Sequence, residues 1–299
     1  MSTRLLFVHA LSPLHAGTGQ GVGVIDLPIA REKATGLPYL PGSSLKGTLR
    51  DTSGIADEQR QLMFGLETTG SEDHASSVRF SDQRLLLMPV RSLAGTFAWV
   101  TSPYVLRRFA RDARDAGVAD VPTEAPEPTT QPKSEQAIVC DESSQLVVSG
   151  TDLVVLEDLD LAVKPSPEAS IWAEWLAPKL FPDTLPDAAY WQGALKARLC
   201  IVRDDILDFL LNTATEVVAR VRLEDERKTV IKGGLWYEEA LPTETILAGL
   251  VVAAPVTNKH NQRLTAETIS ANLERLTQHA LQFGGKASVG RGLCRVQLL

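Results

Sequence analysis

The two ends of this chain constrain its fold most, because both have the pattern of a strand. Residues 4–11 form an apolar run typical of a buried strand, and residues 294–298 alternate apolar and polar side chains as a half-buried strand does. Both termini are therefore predicted to lie in a sheet. At 299 residues the chain can bury a substantial core, and its length allows one large domain or two ordinary ones.

The charge of the chain is acidic but uneven. It has 30 Lys and Arg against 37 Asp and Glu, a net charge of −7, which taken alone argues against a protein that coats nucleic acid. Residues 151–190 hold eight carboxylates against two lysines. Acid is therefore concentrated in that stretch, and basic residues cluster elsewhere.

The three cysteines are far apart, odd in number and in no CxxC pattern; they are Cys140, Cys200 and Cys294. This pattern suggests neither a disulfide framework nor a zinc site, so a reducing cytoplasm is the expected location. No window approaches the roughly 18 apolar residues of a membrane span. A membrane is therefore not expected as a partner.

A long polar loop, Ser12–Ser44, follows the first strand, and loops of this length in a compact domain are usually functional. It ends in SSLKGTLRD, where Ser43 or Ser44 is predicted to cap a short helix. The exposed amide groups at such a helix start favour a phosphate, and Lys46 and Arg50 lie one turn apart on the same face. The pattern predicts a contact with an RNA backbone.

A glycine-rich run, Gly284–Gly292, precedes the C-terminal strand. It combines four glycines with Lys286, Ser288 and Arg291, so backbone amides can approach a polyphosphate while cations neutralise it. The run is neither a Walker A sequence nor a dinucleotide fingerprint. Contact with nucleic acid and a purely structural cap, ending a helix predicted over Ile269–Phe283, both remain open.

Between these two regions the pattern predicts strands at 78–80, 85–90 and 97–100, and then a basic amphipathic helix that starts at Pro103. A solvated face explains the arginines of that helix as well as RNA does. From Ala116 to Gln136 the prolines are too closely spaced for a helix or a central strand. We expect a flexible insertion there, not a domain boundary.

A strand with a short basic face is predicted over Glu216–Leu223. The segment Arg227–Pro242 is predicted to form a hairpin, because the paired glycines Gly233 and Gly234 supply the positive φ angles that tight turns require. Such a hairpin would project, and its tip would carry Leu235, Trp236 and Tyr237.

Two polar residues of the long loop are candidate catalytic groups. Asp26 lies among apolar neighbours in GVGVIDLPIAR, but a lone loop aspartate is more often a turn or cap residue. His15 lies in SPLHAGTG, and a neutral histidine hydrogen-bonded within a loop is more common than an acid–base group. No strong catalytic motif is present. The residues alone therefore predict a globular protein that binds phosphate.

Three blocks together resemble the RAMP superfamily of CRISPR proteins: SPLHAGTG, LPYLPGSSLKGTLRD and GGKASVGRGLCRV. Other stretches resemble the major backbone subunit of the type III-B, or Cmr, effector complex; they are IDLPIAREKATGLPYLPGSSLKG, VRFSDQRLLLMPVRSLAGTFAWVTSPYVLRRF and GGLWYEEALP. The resemblance spans nearly the whole chain, except for the insertion at 116–136 and the acidic stretch at 151–190.

This resemblance implies an α+β fold in one domain over residues 1–299, with a modified RRM-like (ferredoxin-like) palm built from both termini, inserted regions and a projecting thumb β-hairpin. The thumb would be residues 227–242 or part of the insertion. Copies would stack along the guide crRNA beside the other Cmr subunits. The resemblance places guide phosphates on Ser44, Lys46 and Arg50, with the glycine-rich loop beside them, whose members are Gly284, Gly285, Lys286, Ser288, Gly290, Arg291 and Gly292.

The resemblance also associates Asp26 with cleavage of a target RNA paired to the guide. The expected reaction is attack by the target's own 2′-hydroxyl on the adjacent phosphate. The resemblance implies a divalent metal, Mg²⁺ or Mn²⁺. Because the reference pKa of aspartate, about 3.9, makes it a poor base at neutral pH, Asp26 is expected to hold that metal or to orient the hydroxyl and not to abstract a proton unaided. His15, Glu238 and Glu239 are weaker candidates for helping Asp26.

Three other functions remain open at this point. The chain could be a non-catalytic RNA-binding backbone subunit, in which the Asp26 loop only shapes the filament. It could be a RAMP endonuclease that processes the guide precursor. A nucleotide-binding enzyme is disfavoured, because the Walker and Rossmann contexts are absent.

Overall fold

The computed structural model describes residues 1–19, 25–52, 54–65, 76–129, 135–224, 226, 229–257 and 263–299. Its helices are α1 (Gly42–Asp51), α2 (Asp57–Phe64), α3 (Pro103–Asp115), α4 (Pro167–Leu180), α5 (Ala188–Arg198), α6 (Asp204–Thr213) and α7 (Ala266–Leu276). Its strands are β1 (Ser2–Ala10), β2 (Tyr39–Leu40), β3 (Val78–Phe80), β4 (Gln83–Arg91), β5 (Phe97–Thr101), β6 (Gln136–Val139), β7 (Leu153–Leu156), β8 (Leu159–Pro165), β9 (Leu199–Ile201), β10 (Glu216–Leu223), β11 (Val230–Ala240), β12 (Ile246–Ala253), β13 (Val256–Thr257), β14 (Arg263–Leu264), β15 (Leu281–Gln282) and β16 (Leu293–Leu298). Among the helices so described, none is long and apolar enough to cross a membrane.

A large mixed sheet joins the two chain ends, as the terminal patterns predict. Its path runs β15-β16-β1-β12-β4-β5-β9-β6-β8-β7, with β2 added beside β4 and β3 beside β12. The first strand, β1, lies between β12 and β16 and is antiparallel to both, so that Leu6 faces Leu298 across one pair and Gly249 across the other. The α+β class is confirmed.

The core is continuous, and aromatic rings pack together where α3 and α4 cover the sheet. Ser102 caps α3, because its Oγ accepts the Val105 N–H at 3.5 Å, and Pro103 follows at the first helical position. The ring of Phe109 on α3 then lies 5.8 Å from Phe7 of β1 and 6.2 Å from Trp172 of α4. Burial of these rings holds the helices on the sheet.

The arginines of α3 have acidic or carbonyl partners. Arg108 is buried and contacts Glu32 at 2.7 Å, Arg107 pairs with Glu127, and Arg111 pairs with Asp112 at 2.9 Å. Arg114 donates to the Pro122 carbonyl at 2.8 Å. These contacts favour a structural role for the basic helix over a contact with RNA.

The insertion is packed against the rest of the protein, although its sequence predicts a flexible segment. Residues 121–129 have no helix or strand, in agreement with their proline content, but Val121 and Ala125 are buried. The Trp172 indole N–H donates to the Glu124 carbonyl at 2.7 Å. The segment is therefore fixed along α3 and α4, and its last residue, Gln136, begins β6. Residues 130–134 lie outside the described part of the chain.

The predicted C-terminal helix ends earlier than its apolar stripe. The helix α7 stops at Leu276, and Thr277 follows it with its hydroxyl donating to the Leu273 carbonyl at 3.0 Å. The prediction that Gly284 and Gly285 end the helix is therefore wrong, since Leu281–Gln282 form β15. Apolar residues beyond Leu276 are buried from a strand and a loop instead of a helix.

The predicted hairpin exists, but its strands and turn differ from the prediction. It is formed by β10 and β11, with Ala219 opposite Tyr237 and Val221 opposite Leu235. The register shifts after Val221, so Gly233 and Gly234 lie in a bulge inside β11 and not in the turn. The side chains expected at the tip are in the middle of β11, and Arg227, where the predicted hairpin starts, lies outside the described residues.

Candidate functional site

An open groove of about 700 Å³ lies between the long loop, the β10–β11 hairpin and the glycine-rich loop. Its charged lining residues are one carboxylate, Asp26, and three cations, Arg222, Lys232 and Lys286. The groove is therefore locally positive in a chain whose net charge is −7. Such a surplus of cations suits a polyanion.

Asp26 is exposed and is held at the free edge of β11. One of its carboxylate oxygens, Oδ2, accepts the Tyr237 backbone N–H at 2.8 Å. The next residue, Leu27, donates its N–H to the Tyr237 carbonyl at 3.1 Å and accepts from the Glu239 N–H at 3.0 Å. Among the described residues Oδ1 has no hydrogen-bond partner, so it is available to a ligand in the groove.

Glu239 is buried and fixes the segment that follows Asp26. Its Oε1 accepts from Arg31 at 2.6 Å and from the Thr215 hydroxyl at 3.0 Å, and its Oε2 accepts from the Ile29 N–H at 3.0 Å. Three donors therefore occupy the carboxylate. This arrangement favours a structural role over direct chemistry.

His15 is buried and contacts the same strand. Its Nδ1 lies 2.6 Å from the Glu239 carbonyl oxygen, and because that oxygen only accepts, Nδ1 is the donor. The His15 carbonyl in turn accepts the Gly285 N–H at 3.0 Å. His15 thus joins the glycine-rich loop to β11.

Glu238 is buried beneath the groove and accepts from three donors. They are Lys286 Nζ at 2.7 Å, the Trp236 indole N–H at 2.8 Å and Arg220 Nε at 3.2 Å. Burial raises the pKa of the Glu238 carboxyl, but the hydrogen bonds and charges of these donors outweigh it and lower the pKa to about 2. Glu238 is therefore an ionised anchor for cations.

The glycine-rich loop combines an exposed part with a buried part. Residues 284, 285 and 287–290 are exposed, and Lys286 reaches the groove. Arg291 is buried, and its guanidinium contacts Glu216 of β10 at 3.4 Å. The structure therefore turns Arg291 inward, away from the surface where the sequence predicts an RNA contact.

Gly284 is required at its position for structural reasons. Its φ is +70°, and a Cβ added there would overlap the His15 carbonyl oxygen. We expect Gly284→Ala to destabilise the protein by about 2 kcal/mol or more, through strain and the displaced His15 loop. Urea unfolding at equilibrium measures the loss.

Gly290→Ala is the matched control for that change. Its φ is +80°, but nothing lies within 4 Å of an added Cβ. Only the left-handed backbone then disfavours alanine, at about 1 kcal/mol. Equal losses in the two variants would contradict the packing role of Gly284.

The other predicted phosphate contacts lie on α1, and the start of this helix differs from the prediction. Pro41 precedes α1 and no serine caps it; the Gly42 N–H instead donates to Asp82 Oδ1 at 2.9 Å. A carboxylate thus occupies a position predicted to attract phosphate. The Thr48 hydroxyl donates to the Gln282 carbonyl at 3.1 Å, so α1 is brought beside the glycine-rich loop.

Of the α1 side chains predicted to contact RNA, Ser44, Lys46 and Arg50 are partly exposed. Arg50 lies 3.1 Å from Asp51, and this exposed pair leaves the guanidinium accessible. These three side chains and the exposed part of the glycine-rich loop therefore remain predicted RNA contacts.

A model of the RAMP superfamily matches residues 7–295 of the chain. The chain belongs to the RAMP superfamily. It is 33% identical over 307 residues to the CRISPR system Cmr endoribonuclease Cmr4 of Pyrococcus furiosus, which covers 100% of this chain and 96% of that protein. The resemblance inferred from the three sequence blocks is confirmed.

Solved structures share the fold of this chain. Oligomeric Cmr4 from Pyrococcus furiosus has a TM-score of 0.75 and 28% identity, and the match covers 100% of this chain and 98% of that one. A chain of the type III-B Cmr-beta complex bound to cognate target RNA has a TM-score of 0.71 and 20% identity, with 100% and 97% covered. The second likeness concerns the fold alone.

The residues that the structure describes do not by themselves form a site for the expected divalent metal. In the part of the chain that the structure describes, no group of three or more His, Cys, Asp and Glu side chains could hold a metal ion. Asp26 supplies one accessible carboxylate, whereas the carboxylates of Glu238 and Glu239 are occupied by donors. Mg²⁺ or Mn²⁺ stays a prediction, and such an ion would take its other ligands from RNA and water.

The sequence does not predict the roles of three groove residues of this RAMP protein. They are Arg222 and Lys232, which are cations of the lining, and Trp236, which is a partner of Lys286. The alternation in β10 indicates a basic face with Arg220 and Arg222, but not what it faces. The sequence predicts Trp236 at a hairpin tip, whereas in the structure its ring centroid lies 5.9 Å from Lys286 Nζ. The bulge in β11 determines where these side chains lie, and local sequence patterns do not predict that bulge.

Proposed function

We propose that this RAMP protein is a guide-RNA-binding backbone subunit of a type III-B CRISPR effector complex and an endoribonuclease that cuts the paired target RNA. The observation that carries the proposal is the positive groove in which Asp26 presents a free carboxylate oxygen. Support comes from a full-length relative that is named a Cmr endoribonuclease.

In this proposal the palm consists of the terminal strands β1 and β16 with β12, and α1 beside them. Guide phosphates lie along Ser44, Lys46, Arg50 and the exposed part of the glycine-rich loop, without reading of the bases. Other copies of the chain and other Cmr subunits continue this surface in the cytoplasm. Pairing with the guide selects the target.

The β10–β11 hairpin is the proposed thumb. One face carries exposed apolar side chains, with Val221 52% and Leu235 53% exposed, and the other face carries Arg220 and Trp236. Leu235 and Trp236 both line the groove. An apolar face of this kind can pack against a displaced base, and repeated thumbs would divide the target into regular intervals. The backbone of the target then enters the groove at Asp26.

The proposed reaction is a transesterification within the target RNA. The 2′-oxygen of one nucleotide forms a bond to the adjacent phosphorus and loses its proton to water; the bond to the 5′-oxygen breaks, and that oxygen takes a proton from water. The products are a 2′,3′-cyclic phosphate and a 5′-hydroxyl. Asp26 Oδ1 accepts a hydrogen bond from the 2′-hydroxyl and orients it for in-line attack.

The first test is a target with a 2′-deoxynucleotide at one cleavage position. In the assembled complex we expect cleavage at that position to fall by at least about 1,000-fold, because the attacking hydroxyl is missing, while other positions are cut as before. Labelled products resolved on a gel measure both. Undiminished cutting at the modified position would rule out this chemistry.

Two other functions are outcomes of the same assays. A complex that binds the target without any cut would be a structural backbone assembly. Specific trimming of a guide precursor without a target would indicate a processing endonuclease.

A further inference from the structure

We infer that Lys286 is a further catalytic residue of the proposed cleavage: its ammonium group contacts the scissile phosphate of the target and offsets the charge that develops there. The inference rests on the proposed function. It differs from the sequence-based prediction, in which Lys286 is one of several contacts to the guide.

The position of Lys286 in the groove is the first support. Its side chain lines the same groove as Asp26, although the two residues come from loops 260 positions apart in the chain. A phosphate whose neighbouring 2′-hydroxyl is bound at Asp26 therefore has Lys286 among its nearest cations. Arg222 and Lys232 line the groove as well, from the hairpin side.

The immobilisation of Lys286 is the second support. Its Nζ lies 2.7 Å from Glu238 Oε1, and the Trp236 indole N–H donates to the same oxygen at 2.8 Å. Arg220 binds the second oxygen of Glu238 at 3.2 Å. Two cations thus share one buried carboxylate, so one positive charge is left over beside the groove, with Lys286 still 33% exposed. A cation fixed before the substrate arrives needs no reorganisation during the reaction.

The backbone of Lys286 is the third support. Its φ is +69°, in the left-handed region that disfavours residues with a Cβ. The other positive-φ residues of this loop are glycines, at 284, 290 and 292. A lysine kept in that conformation fits a position where the side chain is needed, since such strain clusters at functional sites.

The poor fit of a protein-held metal is the fourth support. Attack by the 2′-oxygen places additional negative charge on the non-bridging phosphate oxygens, which a metal ion or a cation can offset. The described residues supply too few ligands for a metal site, as shown by the single accessible carboxylate of Asp26. Lys286 donates a hydrogen bond to one non-bridging oxygen and keeps its own proton throughout, so the bonds made and broken are unchanged.

The test compares Lys286→Met and Lys286→Arg in the assembled complex loaded with guide. At saturating target in a single turnover, we expect Lys286→Met to lower the maximal cleavage rate by about 100-fold, with target affinity changed by less than about 10-fold. Lys286→Arg keeps the charge and should recover at least about 10-fold of that loss. Lys196→Met is the matched control. Lys196, on α5, lies 3.0 Å from Glu174, and this exposed pair is not part of the groove lining. The maximal cleavage rate of this variant should equal that of the wild type.

Two results would overturn the inference. In the first, Lys286→Met cuts at the wild-type maximal rate and has lost only guide binding, which makes Lys286 a guide contact. In the second, sulfur replacing a non-bridging oxygen of the scissile phosphate slows the reaction in Mg²⁺ and Mn²⁺ restores it, which shows a metal at that oxygen. Failure of the proposed function is a different result, in which the wild-type complex binds the target and makes no cut.

Discussion

Asp26→Asn is expected to lower target cleavage by at least about 100-fold and to leave folding, guide binding and assembly unchanged. The amide oxygen of asparagine can still accept the Tyr237 N–H that Asp26 Oδ2 accepts at 2.8 Å, so the loop stays on β11. The amide group that replaces Oδ1 donates where a carboxylate accepts, and it carries no charge. The 2′-hydroxyl of the target then loses the group that orients it.

The assay is cleavage of a labelled RNA complementary to the bound guide, at saturating target. Asp158→Asn is the matched control, because Asp158 is an exposed carboxylate in the turn between β7 and β8; it should cut like the wild type. Gel filtration and target binding of both variants report on assembly. If the Asp26→Asn complex still cleaves the target, the protein is a non-catalytic backbone subunit, and the Asp26 loop only shapes the filament.

Local sequence patterns predict the parts of this fold that depend on near neighbours. The alternation at 294–298 predicts β16, the apolar run at 4–11 predicts β1, and Ser102 followed by Pro103 marks the start of α3. In each case the pattern lies within one short segment, and the strand or helix that it predicts can pack on any apolar surface. Family resemblance adds Asp26 and the glycine-rich loop, which the structure brings to one groove.

The parts that could not be predicted depend on partners far away in the chain. Asp82 occupies the start of α1 from 40 positions away, and Lys286 binds Glu238 across 48 positions. The glycine pair at 233–234 has the composition of a turn, but pairing with β10 places it in a bulge. Residues such as Glu238 and Glu239 then resemble catalytic carboxylates in sequence, although their oxygens are occupied in the fold.

Glu239→Gln is expected to destabilise the protein by about 3 kcal/mol and to slow cleavage by at least about 10-fold, through the position of the Asp26 segment. The Glu239 carboxylate is 4% exposed and accepts from Arg31, Thr215 and Ile29. A glutamine has one acceptor oxygen, so its amide group must face one of these donors. Urea unfolding and single-turnover cleavage measure the two effects.

Arg31→Met separates a positioning role of Glu239 from a direct catalytic one. Arg31 contacts Glu239 at 2.6 Å and also donates to the Leu211 carbonyl at 2.8 Å, and it is not among the residues that line the groove. If Glu239 acts by fixing residues 27–31, Arg31→Met should lose stability and slow cleavage in parallel with Glu239→Gln. A Glu239→Gln variant of wild-type stability that does not cut, beside an Arg31→Met variant that cuts normally, would place the Glu239 carboxylate in the reaction itself. The hydrogen bonds argue for the first result, because a carboxylate with three protein donors has no free oxygen to offer the RNA.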